Sequence, residues 1–234
     1  MELYKFLQQQ GFGSRKTCRS MIEQGLIEFG GRTIVDINWP VPTESCELWR
    51  VDGEAWTPVE MPIYIALYKP ENHETSHSPM HYPSVFSLLP PQFVQMGISA
   101  VGRLDADTTG LLLLTTDGQF VHRLTSPRHH VPKRYRVLLK HPLDEEQIGR
   151  LRAGVLLKDE DQPVLADAVE PVDSHILNLT ISEGRYHQVK RMIAAAGNRV
   201  VGLHRESVGS LELGSLEPGQ WRFLTQEERK LLGF

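Results

Sequence analysis

The sequence predicts an α+β fold in which a small N-terminal α/β domain precedes a larger domain built on a mixed or antiparallel sheet. Apolar residues recur at helical spacing in several segments, and short apolar runs bounded by Gly, Pro or Asp mark strands. From residue 61 onward, predicted strands and helices alternate without a fixed repeat. Because several predicted strands follow one another directly, a purely parallel sheet is not expected.

The N-terminal segment is predicted to contain two helices followed by short strands. Leu3, Phe6 and Leu7 share one face of the first helix, and Ser14 is placed to cap the second. The apolar positions of the second helix have the same spacing: Cys18, Met21 and Ile22. Gly25 follows that helix, and a strand then leads into a tight turn.

A domain boundary is predicted near residues 53–62, where Gly53, Pro58 and Pro62 precede an apolar strand. The chain is therefore divided into residues 1–59 and 60–234. The predicted strands of the second part are 63–68, 97–101, 110–116, 134–140, 175–181 and 199–208. Its predicted helices are 84–89, 118–125, 144–153, 186–196 and 225–232.

Charge is segregated along the chain, although the net charge is only −4. Residues 118–143 hold six Lys or Arg and four His but no acid, whereas residues 144–173 hold nine acids and three bases. A basic surface on an otherwise acidic protein suits an RNA ligand, because phosphate neutralisation supplies most non-specific affinity. The alternative is chance clustering on a solvated face.

The cysteines and the apolar runs indicate the cellular compartment. Cys18 and Cys46 form no metal-binding or redox pattern, which favours a reducing cytoplasm. No apolar run reaches the ~18 residues that a membrane span needs, and the N-terminus lacks a signal-peptide core. We therefore expect a cytoplasmic protein that does not associate with a membrane. We also expect a monomer by default.

Arg103 and Asp105 form the first candidate functional segment. They precede four consecutive leucines, Leu111–Leu114, which Gly110 and the pair Asp117-Gly118 bound as a buried strand. The two charged residues are thus expected on a turn that a rigid element holds, where a functional carboxylate is well placed. The alternative is a surface loop whose acids only cap a turn.

A second candidate segment places an aromatic residue among basic ones. Tyr135 follows Lys133 and Arg134 on a predicted strand, with Arg128 shortly before. Such a tyrosine can stack on a base while its neighbours hold phosphates. A strand tyrosine beside a solvated basic face is the structural alternative.

The third candidate segment, 182–192, opens a predicted helix. Its buried stripe follows helical spacing: Val189, Met192, Ile193 and Ala196. His187, Lys190 and Arg191 project from the other side. A purely solvated face is the alternative.

Two short motifs are misleading. His73-Glu74-Thr75-Ser76-His77 spells the zinc-protease pattern, but that chemistry requires a helix, and prolines flank this segment closely. We expect a surface loop there. Asp105-Ala106-Asp107-Thr108 spells an aspartyl-phosphate phosphatase pattern, but here the apolar strand comes after the motif rather than before it.

The three candidate segments, in this order, resemble the RsuA-type pseudouridine synthase family over nearly the whole chain. The matching blocks are G-R-L-D-x-D-T-T-G-L-L-L-L-T-x-D-G from Gly102, K-x-Y at Lys133 and H-Q-V-K at His187. The resemblance implies that Asp105 is the catalytic acid and Lys190 its partner. It also implies that Tyr135 stacks on the base, while Arg103 and Arg191 help to bind the substrate. Neither a metal nor an organic cofactor is implied.

Residues 1–59 resemble the small RNA-binding domain of ribosomal protein S-four, on the residues Lys5-Phe6-Leu7, Gly13-Ser14-Arg15, Arg19, Ile22, Gly25 and Gly31. This resemblance implies phosphate contacts from a basic helix face. The expected RNA-binding residues are Lys5, Arg15, Lys16, Arg19, Arg128, Lys133 and Arg134.

Within the family, the chain is most similar to members that convert a specific uridine of small-subunit (16S) ribosomal RNA to pseudouridine. The expected partner is that RNA, naked or in a partly assembled particle, with the target uridine flipped into a pocket. Two roles for Asp105 stay open: attack on ribose C1′ or removal of the 2′ proton. Two other functions also stay open, a non-catalytic ribosome-assembly factor and, more remotely, an aspartate-nucleophile phosphatase.

Overall fold

The computed structural model describes residues 1–42 and 48–234, so Cys46 lies outside the described residues. The chain forms two compact units, one of Met1–Ile63 with Leu89–Ser99 and one of Tyr64–Leu88 with Ala100–Phe234. The helices are α1 (Leu3–Gln9), α2 (Arg15–Glu23), α3 (Pro91–Gln95), α4 (Gly118–Thr125), α5 (Glu145–Ala153), α6 (Gln188–Ala195) and α7 (Gln226–Leu231). The strands are β1 (Ile27–Phe29), β2 (Arg32–Ile34), β3 (Trp49–Val51), β4 (Glu54–Trp56), β5 (Tyr64–Lys69), β6 (Ser99–Ala100), β7 (Thr108–Thr115), β8 (Lys133–Leu139), β9 (Ala168–Pro171), β10 (Ile176–Ile181), β11 (Val200–Val208), β12 (Leu211–Glu212) and β13 (Trp221–Phe223).

The first unit contains the two predicted N-terminal helices and an antiparallel sheet of order β2-β1-β3-β4. The hydroxyl of Ser14 accepts a hydrogen bond from the backbone N–H of Thr17 at 3.2 Å, so it caps α2 as predicted. Cys18 and Ile22 of α2 are buried against Leu3 and Leu7 of α1 in one apolar cluster. The periodic spacing of these residues explains why they form helices.

Helix α3 belongs to the first unit although it follows β5 in the chain. The rings of Trp56 and Phe93 lie edge to face, with centroids 6.4 Å apart. Gly11 has a φ of +78°, and a Cβ there would lie 2.2 Å from the carbonyl oxygen of Gln92. This close approach ties the turn after α1 to α3, an arrangement that the sequence analysis did not predict.

The second unit is built on a mixed sheet of order β13-β5-β7-β11-β8-β10-β9. Strands β7 and β11 are parallel, and the other neighbours on this path are antiparallel. The predicted α+β class with a mixed sheet is confirmed. Among the described residues, no helix is long and apolar enough to span a bilayer.

Several elements differ from the sequence-based expectation. The predicted helix at 84–89 is one turn of 3₁₀ helix, Val85–Leu88, and the predicted strand at 97–101 shrinks to β6. Strands β9 and β13 were not predicted. Both are short strands at the edges of the sheet and are mostly not buried, so they lack an apolar run that would mark them.

The four consecutive leucines lie in β7, where all four are buried. Strand β7 pairs along both edges, with β5 and β11, and consecutive side chains on both of its faces are buried. Leu111 and Leu113 pack in one cluster with Phe120 and Leu124 of α4. A continuous apolar run is the sequence mark of a strand buried on both faces.

Gly110 is expected to tolerate no side chain. It pairs with Arg205 where β7 and β11 run parallel, its φ is +107°, and a Cβ would lie 2.2 Å from the carbonyl oxygen of Arg205. Gly110→Ala should lower the free energy of unfolding by about 2–5 kcal/mol, through backbone strain and overpacking. Chemical denaturation measures this loss.

Gly118 offers the matched control for this substitution. It begins α4, and nothing lies within 4 Å of a Cβ placed there. Gly118→Ala should therefore be neutral or slightly stabilising. Equal unfolding free energies for Gly110→Ala and Gly118→Ala would show that β7 and β11 can move apart without destabilising the protein.

Candidate active site

Hydrogen bonds to its backbone groups hold the segment around Asp105 in place. The Thr75 hydroxyl donates to the carbonyl oxygen of Leu104 at 2.9 Å and accepts from the Leu104 N–H at 3.3 Å. The N–H of Asn72 donates to the carbonyl oxygen of Ala106 at 2.8 Å. The loop before β7 is therefore fixed on both sides of the predicted catalytic acid.

Lys69, at the end of β5, lies fully buried beneath this loop. Its ammonium donates to three carbonyl oxygens, those of Pro70 at 2.9 Å, Ala106 at 3.1 Å and Thr108 at 2.7 Å. Burial lowers the pKa of Lys69 to about 8, although the charges of Asp107 and Asp105 act in the opposite direction. Lys69 was not among the predicted site residues. Its signal was an alternation with Ile65 and Leu67 that places it on their buried face.

The buried lysine gives a prediction about stability and pH. Above about pH 8 the folded protein releases the Lys69 proton, whereas the unfolded chain keeps it up to about pH 10.4. The unfolded state then binds more protons, so the contribution of Lys69 to stability rises with pH through this window. Between about pH 7 and pH 10, the unfolding free energy of the wild-type protein should gain about 1–3 kcal/mol relative to Lys69→Met.

Denaturant titration at both pH values measures this difference. Lys230 of α7 is exposed, so the difference between the wild-type protein and Lys230→Met should stay flat. A flat difference for Lys69→Met as well would mean that Lys69 keeps its proton despite burial.

The Asp105 carboxylate is held by two side chains from the start of α6. Lys190 Nζ donates to Asp105 Oδ2 at 2.8 Å, and His187 Nε2 lies 3.2 Å from Asp105 Oδ1. Lys190 also bonds Asp107 Oδ1 at 2.7 Å. The side chain of Asp105 is 31% exposed and that of Asp107 63%, so Asp105 is the more enclosed of the two acids.

Lys190 stays a cation over the ordinary pH range. Partial burial works against its charge, but the hydrogen bonds to Asp105 and Asp107 outweigh burial and raise the pKa of Lys190. The buried stripe Val189, Met192 and Ile193 anchors α6 to the core, and this leaves Lys190 facing the loop. The structure thus brings together Asp105 and Lys190, which lie 85 residues apart in sequence.

Tyr135 lies inside the unit, on β8, and only 7% of it is exposed. Its hydroxyl is 3.5 Å from the guanidinium of Arg205, whose Nε donates to the carbonyl oxygen of Leu111 at 2.7 Å. The Nη2 of buried Arg205 has no hydrogen-bond partner among the described residues. Arg205 is a second residue that was not among the predicted site residues. It places a buried cation next to Tyr135, and the Nη2 group of this cation is the donor without a partner among the described residues.

The other predicted substrate-binding residues differ in their surroundings. Arg103 is exposed on the loop before β7. Arg191 is engaged with the backbone: its guanidinium donates to the carbonyl oxygens of Tyr186, at 3.3 Å, and Lys158. Neither residue contacts Asp105 among the hydrogen bonds and ion pairs of the described residues.

The predicted RNA-binding residues of the second unit also differ in their exposure and in their contacts. Arg128 is exposed, and Arg134 forms ion pairs with Glu170 and Glu206 at 3.5 and 3.3 Å. The Lys133 ammonium donates to the carbonyl oxygen of Val131 at 2.8 Å. Burial, together with the charge of Arg205, lowers the pKa of Lys133 to about 8.

In the first unit, the predicted RNA-binding residues lie on α1 and α2. Lys5 is paired with Glu2 at 2.5 Å, and the guanidinium of Arg15 lies 5.0 Å from the centre of the Tyr4 ring. Lys16 is exposed and Arg19 is partly exposed. Lys16 and Arg19 therefore remain the best placed of the four to meet phosphates.

A cleft of about 400 Å³ opens beside Lys190 and Asp107. Its lining includes Thr109, Arg136, Leu138 and His204. His204 Nδ1 lies 2.8 Å from the Thr109 hydroxyl, and burial lowers the pKa of His204. A cleft of this size and mixed polarity falls within the range of small-molecule sites.

The zinc-protease pattern lies in a loop, as expected. The Glu74 carboxylate accepts the backbone N–H groups of Met80, His81 and Tyr82, at 3.0, 2.7 and 3.0 Å, and so stabilises the loop. Within residues 1–42 and 48–234, no group of three or more His, Cys, Asp or Glu is arranged to hold a metal ion. The reading of this motif as a metal-binding helix does not fit the structure.

The chain is similar to known proteins in sequence and in fold. The family model described as RNA pseudouridylate synthase matches residues 63–195. A Yersinia pestis protein named ribosomal small subunit pseudouridine synthase A is 41% identical over 237 residues, which cover 100% of this chain and 98% of that protein. A Haemophilus influenzae protein of the same name is 40% identical over 229 residues, 97% of each chain. A solved structure described as a crystal structure of pseudouridylate synthase has a TM-score of 0.70 and 39% identity, covering 99% of both chains.

Proposed function

Because the chain belongs to the RNA pseudouridylate synthase family, we propose that it converts one specific uridine of small-subunit ribosomal RNA to pseudouridine. The matched region, 63–195, contains Asp105, His187 and Lys190. Two relatives that match nearly the whole chain carry names that specify the ribosomal small subunit. The observation that carries the proposal is the Asp105 carboxylate, held at 2.8 Å by Lys190, which itself lines an open cleft.

The reaction needs one ionised carboxylate and a nucleobase that is free to rotate. Uracil leaves ribose C1′, rotates and rejoins through its C5 atom, while the C5 proton passes to solvent and the freed N1 takes up a proton. Attack of the Asp105 carboxylate on C1′ and removal of the 2′ proton by that carboxylate both start from the ionised form. Lys190 orients the carboxylate for either step, because its ammonium donates a hydrogen bond to Asp105 Oδ2.

A stacked uridine cannot turn, so the target nucleotide has to leave the RNA stack. Extrusion costs a few kcal/mol, which backbone contacts offset. We assign Arg103, exposed on the Asp105 loop, to the phosphate of the flipped nucleotide. We assign Tyr135, buried beside Arg205, to stacking on the flipped base. Arg191 fixes the carbonyl oxygen of Tyr186, and we assign its partly exposed side chain to substrate binding as well.

Residues 1–59 are assigned to RNA binding through the basic surface of α1 and α2. The double variant Lys16→Ala, Arg19→Ala should weaken binding of small-subunit ribosomal RNA, because both side chains reach solvent and can meet phosphates. The slope of log K against log salt should become shallower by about 1–2, since each lost phosphate contact removes ~0.7–0.9.

Filter binding over a salt series measures both effects. Lys230→Ala removes an exposed lysine from the second unit and serves as the control, with an unchanged slope. Loss of affinity with the wild-type salt slope would mean that the two residues of α2 do not contact phosphates.

The proposed function is tested by incubating the purified protein with small-subunit and large-subunit ribosomal RNA in the presence of a chelator. Pseudouridine is then mapped by chemical labelling. We expect one modified uridine, in the small-subunit RNA only, with naked RNA and partly assembled particles compared side by side. Binding without modification would instead identify an assembly factor, and strict dependence on magnesium would favour the phosphatase. The proposal also places the protein in the cytoplasm, where ribosomes are assembled, as a monomer.

A further inference from the structure

Two aromatic rings are stacked immediately before α6, beside the candidate acid. The ring centroids of Tyr186 and His187 are 3.8 Å apart, with an interplanar angle of 17°. On one side, His187 Nε2 lies 3.2 Å from Asp105 Oδ1. On the other side, Tyr186 is 77% exposed. The pair thus links the acid to an open aromatic surface.

The backbone around this pair is built to hold it. His187 has φ +47° and ψ 35°, a left-handed conformation that residues other than glycine seldom adopt. The Arg191 guanidinium fixes the carbonyl oxygen of Tyr186 at 3.3 Å, and the Gln188 side-chain oxygen accepts the Arg185 N–H at 3.0 Å. Such conformations persist where the surroundings impose them, and they concentrate at functional sites.

The nearest arginine in sequence, Arg185, does not offer a free charge for a phosphate. It is paired with Glu183, at 2.6 Å, and with Glu160. Its positive charge is therefore already neutralised by two carboxylates, so Arg185 itself offers little attraction to the RNA backbone. An exposed aromatic face accepts any nucleobase, because every base has a π-face that can stack.

We propose that Tyr186 and His187 form a stacking site for an unpaired RNA base next to the reacting uridine. This inference rests on the proposed function, because it names the part of the RNA that docks beside Asp105. Sequence-specific RNA recognition commonly uses unstacked bases laid on aromatic side chains. His187 supports the Tyr186 ring from the side of Asp105, because its own ring stacks on Tyr186 and its Nε2 contacts Asp105 Oδ1.

The test is steady-state kinetics on small-subunit ribosomal RNA labelled with tritium at uracil C5, since the reaction releases that atom to solvent. Tyr186→Ala should raise KM about 5- to 100-fold, the loss expected from removing one stacked base. Its kcat should change less than about threefold. Tyr186→Phe and Tyr186→Trp keep a ring and should stay within about twofold of the wild-type KM.

Tyr82 provides the matched control, because it is an exposed tyrosine, 45% accessible, outside the Asp105 contacts. Tyr82→Ala should leave KM unchanged, and thermal melting should confirm that all variants are folded. An unchanged KM for Tyr186→Ala, or a Tyr186→Phe variant as defective as Tyr186→Ala, would overturn the stacking site. If the wild-type protein released no tritium, the proposed function would fail, and the Kd values of the same variants for this RNA would then decide the stacking site alone.

Discussion

The Asp105→Asn variant will form no detectable pseudouridine, while it binds small-subunit ribosomal RNA about as tightly as the wild-type protein. Asparagine keeps the shape of the side chain, but it can neither attack C1′ nor accept the 2′ proton as a carboxylate does. We expect the rate to fall by about a thousandfold or more, the scale of loss when an essential acid is removed from a catalytic group. Chemical mapping of pseudouridine and filter binding measure the two halves of this prediction.

Asp107 supplies the matched control for the same chemical change. It lies two residues away and also bonds Lys190, at 2.7 Å, but its side chain is 63% exposed. Asp107→Asn should therefore cost less than about tenfold in rate, because Lys190 and His187 still hold Asp105. Comparable losses in the two variants would mean that the acids act together and that Asp105 has no separate role.

Replacing Lys190 with alanine will lower the rate of pseudouridine formation about a hundredfold, the second largest effect that we expect. Lys190 fixes Asp105 Oδ2 and supplies the positive charge next to it. Without Lys190 only His187 contacts the carboxylate among the described ion pairs. Lys190→Arg keeps the charge and should recover part of the rate, although the guanidinium differs in shape from the ammonium. Single-turnover kinetics on ribosomal RNA measure the loss.

Stability should respond much less than activity to this change. Disruption of a fully buried ion pair would cost about 3–5 kcal/mol. In the structure the side chain of Asp105 is 31% exposed, so water can solvate the remaining carboxylate. We expect Lys190→Ala to lower the unfolding free energy by less than about 1 kcal/mol. A variant with full activity would show that the pair has no catalytic role, and a loss of several kcal/mol would show that Asp105 is closed to solvent.

Local sequence patterns predict where Asp105 and Lys190 lie on their own elements, but not that the two residues meet. Helical periodicity placed Lys190 opposite the buried residues of α6, and the apolar run after Gly110 placed Asp105 on a turn. Neither pattern says that the two segments touch across 85 residues of sequence. That pairing came from the family resemblance, because periodicity describes one element at a time.

Other features depend on packing that local sequence patterns barely reveal. Helix α3 joins the first unit through Gly11 and Phe93, a contact between distant segments that no periodic pattern reveals. Lys69 is a charged residue in a fully buried position, and only the carbonyl oxygens around it make that position possible. The left-handed backbone of His187 is likewise a feature of a single residue that no periodic pattern reveals.

The central claim is that the Asp105 carboxylate isomerises a uridine of small-subunit ribosomal RNA. Tritium release from RNA labelled at uracil C5, measured with a chelator for the wild-type protein and for Asp105→Asn side by side, tests it most directly. The account predicts that the wild-type protein releases the tritium of one uridine per RNA molecule and that the variant releases none. Release by Asp105→Asn at the wild-type rate would contradict the account.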